Sequence, residues 1–219
     1  MSGGKSYPRL SVPRRPVADP PVILLIPEST RKARGGLPNA VAVDSVAEAL
    51  PGPARGKLQS LRDEILEKSP TGSIDRGGFL PAYQRFQGNM YRRIPAEAWE
   101  RRAANVEVII ASGLQGLVAS RDRVPAYVLS MAEPTAPFGK LNRWWHDRGL
   151  SEILAAYLRA VRPKTVVDLL SLEYRVAVEG YADGLSGVDV KTIDFPGMGR
   201  GSQPLRGEKV AEILLKGKA

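Results

Sequence analysis

Residues Val106 to Met131 read VEVIIASGLQGLVASRDRVPAYVLSM. The run Val106–Ile110 is apolar and rich in β-branched residues, the pattern of a buried strand. It stops at Ser112-Gly113, and a second glycine follows at Gly116. Two close glycines after a strand permit backbone conformations that a side chain forbids, and they let N–H groups approach a ligand. Asp122 and Arg123 break the apolar character, and Pro125 starts an extended return through Tyr127 and Leu129. The stretch predicts strand, tight polar loop, strand. A plain structural turn and a binding loop both satisfy this spacing.

Two further apolar runs end in the same way. Val22–Ile26 stops at Pro27 and gives way to Glu28, Ser29, Thr30, Arg31 and Lys32. Thr165–Leu169 gives way to Ser171, Glu173 and Tyr174. In open α/β sheets ligands sit outside the carboxyl ends of the strands. One cleft is therefore expected from Ser29–Lys32, Ser112–Gly116 and Ser171–Tyr174. Ser29 or Thr30 would hydrogen-bond a ligand, Lys32 would supply a point charge, and Glu173 is the candidate acid/base carboxylate.

Composition narrows the chemistry. The 219 residues carry 32 Lys and Arg against 23 Asp and Glu, a formal charge of +9. That excess favours a nucleic acid or a nucleotide-like anion as partner. There is no cysteine, which excludes disulfides, thiolate metal sites and thiol peroxidase chemistry. His146 is the only histidine, so no multi-histidine metal centre can form. No metal and no cofactor are expected. No run approaches the ~20 apolar residues of a membrane span, and no signal-peptide core follows the start, so a cytoplasmic location is expected. The sequence leaves the oligomeric state open.

The length fits one domain, residues 22–219, behind an arm of residues 1–21. That arm carries five prolines with Lys5, Arg9, Arg14 and Arg15, and is expected to be flexible. Its Gly3-Gly4-Lys5-Ser6 lacks the strand and glycine spacing of a phosphate loop. Helices are expected over Val41–Leu50 and Lys57–Lys68, separated by Pro51-Gly52-Pro53, and over Asn142–Val161 as one helix or a broken pair. Pro134–Gly139 reads as a loop. A last strand is expected over Val188–Phe195, then the glycine-rich Gly197–Ser202 and a helix from about Arg206 to Lys216. Between Phe79 and Pro95, aromatics alternate with arginines, and Tyr91 is a candidate for stacking on a base.

These pieces resemble a known family, that of the peroxide stress protein YaaA. Ser112, Gly113, Leu114, Gly116, Asp122, Pro125, Tyr127 and Leu129 follow the order of its central signature. Val22–Pro27 with Ser29, Lys32, Gly35 and Gly36 resembles its first strand and Ser/Pro/Lys loop. Arg85, Phe86, Gly88 and Tyr91 resemble its F-x-G-x-x-Y element, and Val166–Leu169 with Ser171 and Tyr174 its last motif. Val128 and Leu170 stand where the family carries arginines, and its aromatic/Lys/Arg-Gly segment is hard to trace in Asp194–Arg206. The resemblance implies a divergent member with a mixed α/β (α+β) fold, a central sheet flanked by helices and a helix-hairpin-helix element. It implies DNA binding linked to protection from oxidative damage. It adds Asp122 and Tyr127 to the ligand-binding candidates Ser29, Tyr91, Ser112, Gly113, Gly116, Ser171 and Tyr174. The alternative is an enzyme that cleaves or transfers an N-glycosidic bond of a small nucleotide, nucleoside or nucleobase-like substrate, with Glu173 and Lys32 as catalytic residues.

Overall fold

The computed structural model describes residues 22–38 and 44–218. The arm over residues 1–21 and the first residues of the helix expected from Val41 lie outside the described residues. β1 (Val22–Pro27) is buried along its whole length. Asp44 caps α1 (Ser45–Ala49), its carboxylate accepting from the Ala47 N–H. α2 (Gly52–Lys68) follows at once. The prolines expected to separate two helices lie instead at the start of the second. Proline suits a first helical turn, where its missing N–H would have no partner.

β2 (Ile74–Pro81), α3 (Ala82–Arg85) and α4 (Ala96–Glu100) lead to the central strand β3 (Val106–Ser112). The central stretch then departs from its expected shape. The chain reverses at Gly116, which has φ +69°, and β4 (Gly116–Ala119) pairs antiparallel with β3. β5 (Arg123–Tyr127), expected to be the return strand, pairs instead with β2 in a separate two-stranded sheet. β4 is too short and uniformly apolar to stand out from the loop before it. The segment 134–139, read as a loop, contributes to the small hairpin of β6 (Pro134–Thr135) and β7 (Gly139–Lys140).

The region from Asn142 is the broken pair: α5 (Leu141–Asp147) and α6 (Leu150–Val161), divided by Gly149 at φ +84°. β8 (Thr165–Asp168), α7 (Leu172–Arg175), β9 (Asp189–Thr192) and α8 (Ser202–Lys216) complete the chain. α8 begins earlier than expected, with Pro204 again tolerated in a first turn.

The main sheet has the order β4-β3-β1-β8-β9. β3, β1, β8 and β9 run parallel, and β4 is antiparallel. The fold is thus mixed α/β around one central sheet. Ile23–Ile26, Val108–Ile110 and Val166–Val167 form its buried middle. Each such side chain contributes about 1.5–3 kcal/mol through burial. Register places the candidate residues. Leu25 lies between Ile109 and Asp168, so β1, β3 and β8 end almost level.

A buried charged cluster at the strand tips

Two backbone bonds continue the ladder past the strand ends: Glu28 N–H to Ala111, and Leu169 N–H to Leu25. They set Glu28 beside Ser112-Gly113. The Glu28 side chain is fully buried, and the side chain of Lys32, four residues on, is 3 % exposed with its Nζ 3.7 Å from the carboxylate. Oε1 of Glu28 accepts the Gly113 N–H at 3.0 Å, and Oε2 accepts the Tyr127 hydroxyl. Tyr127 also shares a 2.7 Å hydrogen bond with Ser112 Oγ. Lys32 donates to the Leu129 carbonyl at 3.3 Å and stands 4.0 Å from the centre of the Tyr127 ring.

Close approach explains two glycines. A Cβ on Gly113 would lie 3.0 Å from Glu28 Oε1 and 3.1 Å from the Met131 nitrogen. A Cβ on Gly88 would come within 2.4 Å of Ser29 Oγ. Ser29 is buried, and its hydroxyl accepts the Arg31 N–H.

Burial shifts every titratable group here towards neutrality. It raises Glu28 above the usual carboxylate range, against the opposing pull of Lys32 and the Tyr127 hydrogen bond. It lowers Lys32, against the opposing charge of Glu28. Tyr91, Tyr127 and Tyr174 are all raised, first by burial and then by the negative charge of Glu28. A carboxyl and an ammonium perturbed in this way by burial mark a candidate functional site.

The strand tips thus bring together Ser29, Lys32, Ser112, Gly113, Tyr127 and Tyr174. Tyr91 joins them through its hydroxyl, which donates to the Pro27 carbonyl at 2.9 Å. Its ring lies parallel to Trp99 at 6.4 Å within the core, away from any stacking position on a ligand. Other candidates stand apart. Gly116 packs on Trp145 at the turn. Asp122 tethers two segments, accepting the Ser45 N–H at 2.9 Å and the Ala119 N–H at 2.8 Å. Burial raises its carboxyl to about 6. Ser171 occupies the N-cap position of α7 and makes no capping bond with its side chain. Glu173 is half-exposed, 3.1 Å from Asn142 Nδ2 and 3.5 Å from Lys140 Nζ. Its neighbour Tyr174 takes the inward position. His146 is a partly buried helix residue whose Nδ1 has no hydrogen-bond partner among the described residues.

Sequence reasoning missed the carboxylate at the centre. Glu28 looks like one more polar loop residue, and its only signal is its place as the first residue after β1. It also missed Arg85 as a structural pin. That guanidinium is fully buried and donates to the carbonyls of Ala33, Gly35, Gly78 and Val124, holding the Lys32 loop against β2 and β5. Near the carboxyl terminus, Arg206 stacks over Phe195 at 5.3 Å, and Gly207 packs against the Met90 carbonyl.

Among the described residues, no group of three or more His, Asp or Glu is placed to hold a metal ion. No described helix is long and apolar enough to cross a membrane.

Fold and cluster together define a mixed α/β protein with a buried Glu–Lys–Tyr cluster at the ends of parallel strands. The chain belongs to the peroxide stress protein YaaA family, whose model matches residues 53–204. It is 28 % identical over 137 residues to a UPF0246 protein of Francisella tularensis subsp. tularensis (strain WY96-3418), covering 59 % of this chain and 54 % of the relative. A UPF0246 protein of Jannaschia sp. (strain CCS1) is 30 % identical over 144 residues, covering 64 % and 52 %. That of Francisella tularensis subsp. novicida (strain U112) is 30 % identical over 126 residues, covering 54 % and 49 %. The chain is therefore a divergent member and spans about half the length of these curated relatives. Glu28 and Lys32 precede the matched segment, so their placement beside Ser112 and Tyr127 comes from the structure alone.

Proposed function

We propose that the strand-tip cluster is an acid/base site for a small nucleotide, nucleoside or nucleobase-like substrate, with cleavage or transfer at an N-glycosidic bond as its chemistry. The observation that carries this reading is the Glu28–Lys32 pair, buried with Tyr127 and Ser112 where three parallel strands end. Burial raises the proton affinity of the Glu28 carboxyl, which can take up a proton and pass it to a departing base nitrogen. The same group, once ionised, stabilises positive charge on the sugar until water or an acceptor hydroxyl adds to the anomeric carbon and returns a proton to Glu28. Lys32 would turn from Glu28 to an anionic group, and Tyr127 and Tyr174 would orient the reacting atoms. Acid/base work thus moves from Glu173, on the rim, to Glu28. The segment around Leu129–Met131 lies against both Lys32 and Gly113, so substrate entry displaces it.

The test is thermal shift and product analysis of the full chain against a panel of nucleosides and nucleotides. At least one should stabilise the protein and be turned over, and Lys32→Met should abolish the turnover. A panel with neither stabilisation nor turnover overturns the reading.

A second reading, DNA binding in the cytoplasm in defence against peroxide, is favoured by charge and by the family's name. Residues 1–21 hold four Lys and Arg against Asp19, a net +3, so 9 − 3 leaves +6 on the remainder. α1 and α2, joined through Leu50-Pro51, would serve as the helix-hairpin-helix element. Binding should weaken steeply with salt as counterions are released from phosphates. Failure to shift either duplex or single-stranded DNA at low salt removes this reading.

A further inference from the structure

We propose a second ligand site, beside the Ser112–Gly116 turn, that takes an adenine-type nucleotide. A cavity of about 300 Å³ opens between α2 and the β2–β5 pair, with Phe79, Leu114 and Pro125 among its apolar walls and Asp44, Arg76 and Gln115 among its polar ones. None of Glu28, Lys32, Ser112 or Tyr127 lines it. The size is at the lower end for small-molecule sites, and apolar walls with a few convergent polar groups are their usual composition.

The polar groups have separate duties. Arg62 is spent on the fold: it pairs with Asp44 and donates to the carbonyls of Gln115 and Leu117. The Asp44 charge in the wall is thereby balanced. The Gln115 backbone is held from both sides, its N–H on Ser112 Oγ at 3.2 Å and its carbonyl on Arg62 Nε at 2.9 Å. Its side chain therefore starts from a fixed point, yet its Oε1 is buried without a hydrogen-bond partner among the described residues. A buried acceptor left unmade is costly, and a ligand donor relieves it. The carboxamide offers an acceptor and a donor side by side, the pattern that pairs with N6–H and N7 of adenine. Phe79 gives a ring face for the base. Arg76 is exposed and forms no ion pair among the described residues, which leaves its guanidinium for a phosphate.

The experiment is isothermal titration of the full chain with AMP and with adenosine, using uridine and benzoate as controls. AMP and adenosine bind saturably, and the controls do not. Arg76→Ala weakens AMP about tenfold and leaves adenosine within about twofold. Gln115→Leu weakens both by about tenfold or more. If Gln115→Leu fails to fold, Gln115→Glu serves, because it keeps the shape and removes the donor. Arg76 and Gln115 line this cavity and lie outside the strand-tip cluster, so loss of binding in their variants separates the two sites. The proposal is overturned by absence of saturable binding, or by binding that ignores both Arg76→Ala and the Gln115 variant.

Discussion

Replacing Glu28 by Gln removes one charge from a pair and leaves the other in place. Gln still accepts the Gly113 N–H through its one oxygen, and its Nε2 reverses the other bond by donating to the Tyr127 hydroxyl, so the shape of the cluster survives. What remains is the Lys32 ammonium, 3 % exposed and without the partner that stood 3.7 Å away. Removing one partner of a buried pair costs about 3–5 kcal/mol, because the other charge is left uncompensated. For a chain of this size that corresponds to a fall in Tm of roughly 6–20 °C. Adding Lys32→Met should recover most of the loss, since the double variant buries no charge. pH gives a second signature. The folded Lys32 value lies below its unfolded value, so the unfolded state binds more protons in the window between them. Stability of Glu28→Gln should therefore rise with pH through that window, and the double variant should lack this rise. Urea unfolding of the wild type, Glu28→Gln, Lys32→Met and the double variant at pH 7 and pH 9 measures both effects. If Glu28→Gln is as stable as wild type, or the double variant as unstable as the single, the two groups are not coupled and the reasoning fails.

Four further outcomes are expected. Gly113→Ala forces a methyl against Glu28 Oε1 and the Ser130–Met131 backbone and should cost about 1–3 kcal/mol in urea unfolding. Gly207→Ala places a Cβ 2.2 Å from the Met90 carbonyl and should cost about 3 kcal/mol, with a lower melting temperature as the readout. Asp122, raised to about 6, keeps a proton in the folded state that the unfolded chain has already released, so it makes stability fall as pH rises from about 4 to 6. Asp122→Asn should flatten that part of the stability–pH curve. Glu173→Gln breaks only a half-exposed contact with Lys140 and should change stability by less than about 1 kcal/mol.

The sheet was legible because its parallel strands are buried on both faces and read as uninterrupted apolar runs. Val22–Ile26, Val106–Ile110 and Thr165–Leu169 announce β1, β3 and β8, and polar tails announce their tips. The site was legible to the same depth: which loops meet, but not which side chain each turns inward. Helical phase on a four-residue α7 decides that Tyr174 enters and Glu173 does not, and four residues carry no periodic signal. β2 was hidden by its Asp-Arg-Gly-Gly centre, which suits an irregular strand with a register shift. Glu28 was hidden because burial of a carboxylate depends on partners 4 to 99 residues away, such as Lys32, Gly113 and Tyr127.

Glu28, Lys32 and Tyr127 are the groups proposed to meet a ligand. The most direct measurement follows the side-chain carboxyl ¹³C resonances of glutamate by NMR while a stabilising nucleoside or nucleotide is added. The account predicts that the Glu28 signal, titrating above the ordinary range in the free protein, moves with saturation, while those of the surface glutamates stay. A Glu28 resonance that titrates as an ordinary carboxylate and ignores every such ligand would contradict it.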